Sequence, residues 1–107
     1  MRDPDALIDD IVEYSRRALD YTKDVDQAAF LEQTGVQDQV IRCLEVVGEA
    51  ARRVPDDVRS TYPGVPWAQM AGMRNHLAHE YGAVDMRAVW LTVVRDLPAI
   101  LGQLESE

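Results

Sequence analysis

With a single cysteine, Cys43, the chain can form no intramolecular disulfide, and a reducing compartment is the simplest reading of that usage. Cys43 falls among apolar residues at helical spacing, where a small core side chain is expected rather than a nucleophile. Histidine is nearly as scarce. His76, His79 and Glu80 match neither His-Glu-x-x-His nor His-x-x-Glu-His, and there is no other histidine, so no metal or other cofactor is expected. Ser15, Ser60 and Ser106 have no activating group beside them, which argues against serine nucleophile chemistry. No apolar run approaches the ~18 residues needed to span a bilayer. The start, Met1-Arg2-Asp3-Pro4-Asp5, lacks a basic region ahead of an apolar one, so a soluble cytoplasmic protein without membrane contact is expected. Strand-like alternation, glycine-rich phosphate loops, internal repeats and low-complexity segments are all missing. Positive charge is in short supply as well: 11 basic against 19 acidic residues leave a net charge of −8. That argues against a broad electrostatic grip on nucleic acid. Only Lys23 is a lysine, however, and arginine is the better bidentate phosphate ligand, so a local arginine-lined cleft remains open.

What is present is helical periodicity. The 107 residues, 47% hydrophobic, suit one domain over 1–107 with a modest core. Asp3-Pro4 reads as a cap and first turn, followed by Leu7, Ile8, Ile11, Val12, Ser15, Ala18 and Leu19 on one face to about Tyr21. Arg16 and Arg17, adjacent on this helix, read as a solvated face or as part of an RNA-binding rim. A short helix over 26–33, closed by Thr34-Gly35, is expected to turn Ala29, Phe30 and Leu31 inward and to pack across one end. A long helix over 36–54 places Val40, Leu44, Val47, Ala51 and Val54 on a core stripe beside Ile41 and Gly48. Gly48 costs roughly 1 kcal/mol of helix propensity, which suggests close approach of another helix. Pro55-Asp56-Asp57 ends this helix and begins a short turn through Val58, Arg59 and Tyr62. After Pro63-Gly64-Val65-Pro66, with Pro66 in the first turn, a helix runs to about Tyr81-Gly82. Asp85 then caps a last helix carrying Met86, Val89, Trp90, Val93, Leu97, Ile100, Leu101 and Leu104, kinked at Pro98. The expected fold is all-α, an antiparallel bundle of four main helices plus one short helix.

The fourth of these helices holds Met70-Ala71-Gly72-Met73-Arg74-Asn75-His76-Leu77-Ala78-His79-Glu80-Tyr81, where phosphate ligands and proton carriers crowd into a few turns. At ~100° per residue, Trp67, Met70, Ala71, Leu77 and Ala78 lie within roughly 60° of Arg74, which therefore projects from the apolar stripe. A buried guanidinium needs acceptors, and Glu49 is the candidate partner. Asn75 and His79 share a neighbouring face about 100 to 140° away, while His76 and Glu80 point to the polar side.

Arg74-Asn75 with His79 and Tyr81 resembles the Arg-Asn-x-x-x-His-x-Tyr signature of HEPN-domain ribonuclease toxins of the HepT type. The run from Tyr62 to Trp67 resembles that family's approach to its motif helix, Val47-Gly48-Glu49-Ala50-Ala51 an upstream landmark, and Trp90 with Asp96-Leu97-Pro98 its last helix. Four landmarks in order are far more specific than a lone Arg-x4-His. The resemblance implies a HEPN-like fold and a homodimer with the motif helices facing each other. It further implies RNA as substrate, a nucleotidyltransferase antitoxin as partner, and Tyr81 as an acceptor for AMP.

In metal-independent RNA cleavage the ribose 2′-hydroxyl attacks the adjacent phosphate, and the 5′-oxygen leaves. Histidine near neutrality moves the protons and arginine binds the phosphoryl oxygens as charge builds. His79 and Arg74 suit those roles, and Asn75 either fixes the imidazole or donates to phosphate. One histidine is thin equipment for both acid and base, whereas a two-fold dimer brings two sets into one cleft. Other readings stay open. One is a non-enzymatic subunit that presents substrate or nucleotide to a nucleotidyltransferase; another is that Arg74 only stabilises a dimer. A lone helical histidine such as His76 is more often structural, Tyr81 could be an ordinary helix-end tyrosine, and Arg42, Arg52 and Arg53 are candidates for the cleft with solvation as their default.

Overall fold

A computed structural model describes residues 3–72 and 85–105, and every structural statement below concerns these residues. They form helices and no strands. The all-α expectation is thus met. Helix α1 (Pro4–Thr22) begins as its sequence suggests: the Asp3 carboxylate accepts from the Asp5 amide at 2.9 Å, and Pro4 occupies the first turn, where its missing N–H costs nothing. Helix α2 (Gln27–Phe30) is a single turn capped by Asp26, which accepts from the Ala29 amide at 2.8 Å. Helix α3 (Thr34–Arg53) is the longest element.

Thr34 and Gly35 open α3 rather than close the helix before it, contrary to the sequence expectation. The reason is Gln37. Its side-chain Nε2 reaches back and donates to the Phe30 carbonyl at 2.9 Å, so the end of α2 is satisfied by a side chain and Gly35 is free to join the next helix.

Leu7, Ile11, Ser15 and Ala18 of α1 are buried, as are Val40, Leu44, Val47 and Ala51 of α3 and Val54 at its end. These are the stripes read from the sequence, and they make α1 against α3 the most extensive helix contact. Along this contact Tyr14 to Tyr21 lie alongside Asp38 to Cys43. Gly48 is buried, as a close helix approach requires. Phe30, fully buried, stacks obliquely on Trp90 with ring centroids 5.3 Å apart, which closes one end of the bundle with α2.

A turn of helix, α4 (Asp56–Arg59), follows Pro55, and α5 begins at Trp67 with 67–72 described. Helix α6 (Met86–Leu91) is capped by Asp85, whose carboxylate accepts from the Arg87 and Ala88 amides at 3.0 and 3.4 Å. It runs through a π-helical turn (Thr92–Asp96) into α7 (Leu97–Glu105). The expected kink at Pro98 takes this form. Proline has no N–H for the helix ladder and its ring crowds the carbonyl four residues back. The wider turn, in which the Leu97 amide reaches the Thr92 carbonyl, relieves both just upstream. Val89, Val93, Leu97, Ile100, Leu101 and Leu104 remain buried on either side of it. No helix among the described residues is long and apolar enough to cross a membrane.

Candidate functional site

The approach to the motif helix is held from three directions. Arg59 lies at its centre: Nε donates to the Val54 carbonyl at 3.0 Å, and Nη2 donates to the Ala51 and Arg52 carbonyls at 2.9 and 3.3 Å. These carbonyls lie at the C-terminal end of α3, where the Ala51 carbonyl also accepts from the Val54 amide at 3.3 Å, so one guanidinium supplies donors that the helix end runs short of. The same guanidinium stands over the Trp67 ring at 6.0 Å. Trp67 in turn donates from Nε1 to the Tyr62 carbonyl at 3.2 Å and is buried with Val65 and Met70. On the far side Gly64 faces α7 so closely that a Cβ there would meet Gln103 Oε1 at 2.5 Å. The first helical bond of α5 runs from the Met70 amide to the Pro66 carbonyl, 3.0 Å, which puts Pro66 at the capping position, one residue ahead of the first turn expected for it.

Trp67 and Met70 thus turn to the core, Ala71 is half-buried, and the described part of α5 ends at Gly72. Arg74, Asn75, His79 and Tyr81, together with His76 and Glu80, lie outside the described residues. The proposed Glu49–Arg74 pair lies outside them too. Glu49 itself accepts from Arg52 Nη2 at 2.7 Å and Arg53 Nε at 2.8 Å, and its hydrogen bond and charge raise the Arg52 pKa further. Arg52 and Arg53 are therefore engaged on the α3 surface, with side chains more than half exposed. Among the described residues no three His, Cys, Asp or Glu side chains converge as a metal-binding group.

Two grooves open on the described surface. One of about 230 Å³ lies beside the first turn of α5, floored by Met70 and Ile100 and rimmed by Gln69, Asp96 and Gln103. The other, about 260 Å³, separates α1 from α3 and is lined by Tyr14, Arg17, Tyr21, Asp38, Gln39, Arg42 and Cys43. Burial pushes the Cys43 thiol pKa up, and the positive charges of Arg17 and Arg42 partly oppose it. Neither the Arg59 clamp nor the second groove was assigned from the sequence. The groove had a signal there: Tyr14, Arg17 and Tyr21 recur at helical spacing on a helix whose Arg16 and Arg17 were read as a solvated face or as part of an RNA-binding rim.

Residues 11–107 match the family model described as "Ribonuclease HepT-like". The chain belongs to the HepT-like ribonuclease family. Among HepT-like relatives, "Putative RNase MJ0125" of Methanocaldococcus jannaschii is 40% identical over 98% of this chain and 90% of its own length. "Probable ribonuclease HepT" of Thermococcus cleftensis is 38% identical over 92% of this chain and 90% of its own. No solved structure gives a significant match. The resemblance drawn from Arg74-Asn75, His79 and Tyr81 therefore led to the right family, and HepT-like membership makes RNA the substrate class of this fold.

Proposed function

We propose that this HepT-like chain is a metal-independent endoribonuclease toxin of a toxin–antitoxin pair, acting in the cytoplasm as a homodimer. The observation that carries the reading is the run Arg74-Asn75, His79 and Tyr81, in signature order, within a chain matched over 11–107 by a ribonuclease family. His79 takes the proton from the ribose 2′-hydroxyl, whose oxygen attacks the adjacent phosphorus. Arg74 binds the phosphoryl oxygens as negative charge gathers, and Asn75 orients the imidazole or donates to phosphate. The bond from phosphorus to the 5′-oxygen breaks, leaving a 2′,3′-cyclic phosphate and a 5′-hydroxyl. The second protomer's motif, across a shared cleft, supplies the proton that the leaving oxygen needs. A nucleotidyltransferase antitoxin silences the site by placing AMP on Tyr81, two residues from His79, where added bulk and negative charge exclude RNA and occupy Arg74.

The test is cleavage of labelled tRNA and total RNA in EDTA by purified protein whose intact mass shows no adduct. Arg74→Ala and His79→Ala, prepared alongside, are each expected to cut at least about 100-fold more slowly while retaining helical content. Cutting by the parent alone, with cyclic phosphate ends, sustains the reading. Equal cutting by both variants removes the assigned roles. No cutting by unmodified parent overturns the nuclease reading in favour of a non-enzymatic subunit that binds substrate or nucleotide for a nucleotidyltransferase.

A further inference from the structure

The groove between α1 and α3 has a chemistry that the Arg74–His79 motif does not use. The geometry points to this groove as a binding track for single-stranded RNA, with Arg17 and Arg42 holding phosphates and the exposed Tyr21 ring stacking on a base. It rests on the ribonuclease reading for the nature of its ligand.

Tyr14, Arg17 and Tyr21 form one stripe along α1, and Asp38, Gln39 and Arg42 face them from α3. Alternating guanidinium and aromatic groups along one groove are the usual equipment for unpaired nucleic acid, where cations follow the backbone and rings take the exposed base faces. The space of about 260 Å³ is comparable to about nine water volumes at ~30 Å³ each, room for a planar base.

Each group is placed for this use. The Arg17 guanidinium lies over the Tyr14 ring at 4.5 Å, a cation–π contact that holds it at the groove. Its other contact is Glu13, one helical turn away. That pair is half exposed on both sides, and an exposed pair of this kind is weak enough for a phosphate to displace. Arg42 is exposed and forms no ion pair with any described residue. Both guanidiniums line the groove beside Cys43, whose thiol pKa their charge lowers against the effect of burial. Tyr21 is one of the few large apolar side chains left open to water, 39% exposed.

Most of the remaining described arginines are otherwise engaged: Arg16 with Glu105, Arg52 and Arg53 with Glu49, Arg95 with Asp96, and Arg59 with the end of α3. Within a chain of net charge −8, two guanidiniums sharing a groove with two tyrosines are a local departure from the acidic surface. Asp38 also lines the groove, and its charge disfavours phosphate beside it.

The experiment uses a short fluorescein-labelled 2′-O-methyl RNA, which has no free hydroxyl to attack, and follows anisotropy across a salt series. The parent chain is compared with Arg17→Ala/Arg42→Ala, Arg17→Lys/Arg42→Lys and Tyr21→Ala, each checked for unchanged helical content and melting. Loss of two phosphate contacts should make the slope of log affinity against log salt shallower by about 1.4, at ~0.7 per single-strand contact. The lysine pair should restore most of that slope. Tyr21→Ala should weaken binding about tenfold with the slope unchanged, and should leave affinity for a duplex of the same sequence unaltered. Equal affinity and equal slope in all four proteins would overturn the assignment. RNA binding that depends on these residues in a parent that does not cut upholds the groove while removing the nuclease reading. A parent that cuts, with variants that bind like it, does the reverse.

Discussion

At the scale of single residues, Arg59 and Ser15 show opposite ways of treating a polar group. Arg59 gives three hydrogen bonds to carbonyls at the end of α3. Its truncation removes all three bonds, leaves the Ala51 carbonyl with the Val54 amide alone, and strips a cation from the Trp67 ring. Arg59→Ala should therefore cost about 1.5 to 3 kcal/mol, read from the urea midpoint. Ser15 is fully buried, and its Oγ has no hydrogen-bond partner among the described residues. Ser15→Ala removes an unpaired polar atom and improves helix propensity, so it should raise stability by about 1 kcal/mol. Cys43 adds a dependence on pH. Burial raises its folded pKa above the unfolded value, so its contribution is fully present below the ordinary thiol range and lost as pH rises through it, because the unfolded chain releases the proton first. Between neutral and alkaline pH, urea midpoints should accordingly fall less in Cys43→Ala than in the parent.

At the scale of elements, the caps and the periodicity were legible and the joins between helices were not. Asp3, Asp26 and Asp85 are local signals: each side chain caps amides two or three residues on, so a short window contains the whole interaction. The bond from Gln37 to Phe30, which moves the start of α3 to Thr34, spans seven residues and a change of direction, and no window announces it. The turn at Thr92–Asp96 was legible only as a disturbance at Pro98, since proline specifies what the helix must avoid rather than how it does so. Gly102 lies within α7 with open space where a Cβ would stand, so Gly102→Ala should add about 0.5 to 1 kcal/mol in the same urea assay.

At the scale of the molecule, the motif and three further landmarks in order led to the family, because Arg74, Asn75, His79 and Tyr81 are tied to one another by sequence order alone. Only the α1 side of the α1–α3 groove was legible, in Tyr14, Arg17 and Tyr21, since the groove itself depends on which faces of two helices meet. With 19 acidic against 11 basic residues the fold also works against its own charge. Added sodium chloride should therefore raise the melting temperature until the repulsion is screened, and calorimetry across a salt series will show whether it does.

The Arg59 clamp also bears on inheritance. One side chain joins the end of α3 to the ring that opens the motif helix, so a change there weakens the approach to Arg74 and His79 without altering either. On the proposed toxin reading, a genetic screen for chains that have lost their effect on growth should yield temperature-sensitive alleles at position 59: functional in the cold, silent when warmed, and with every residue of the motif intact.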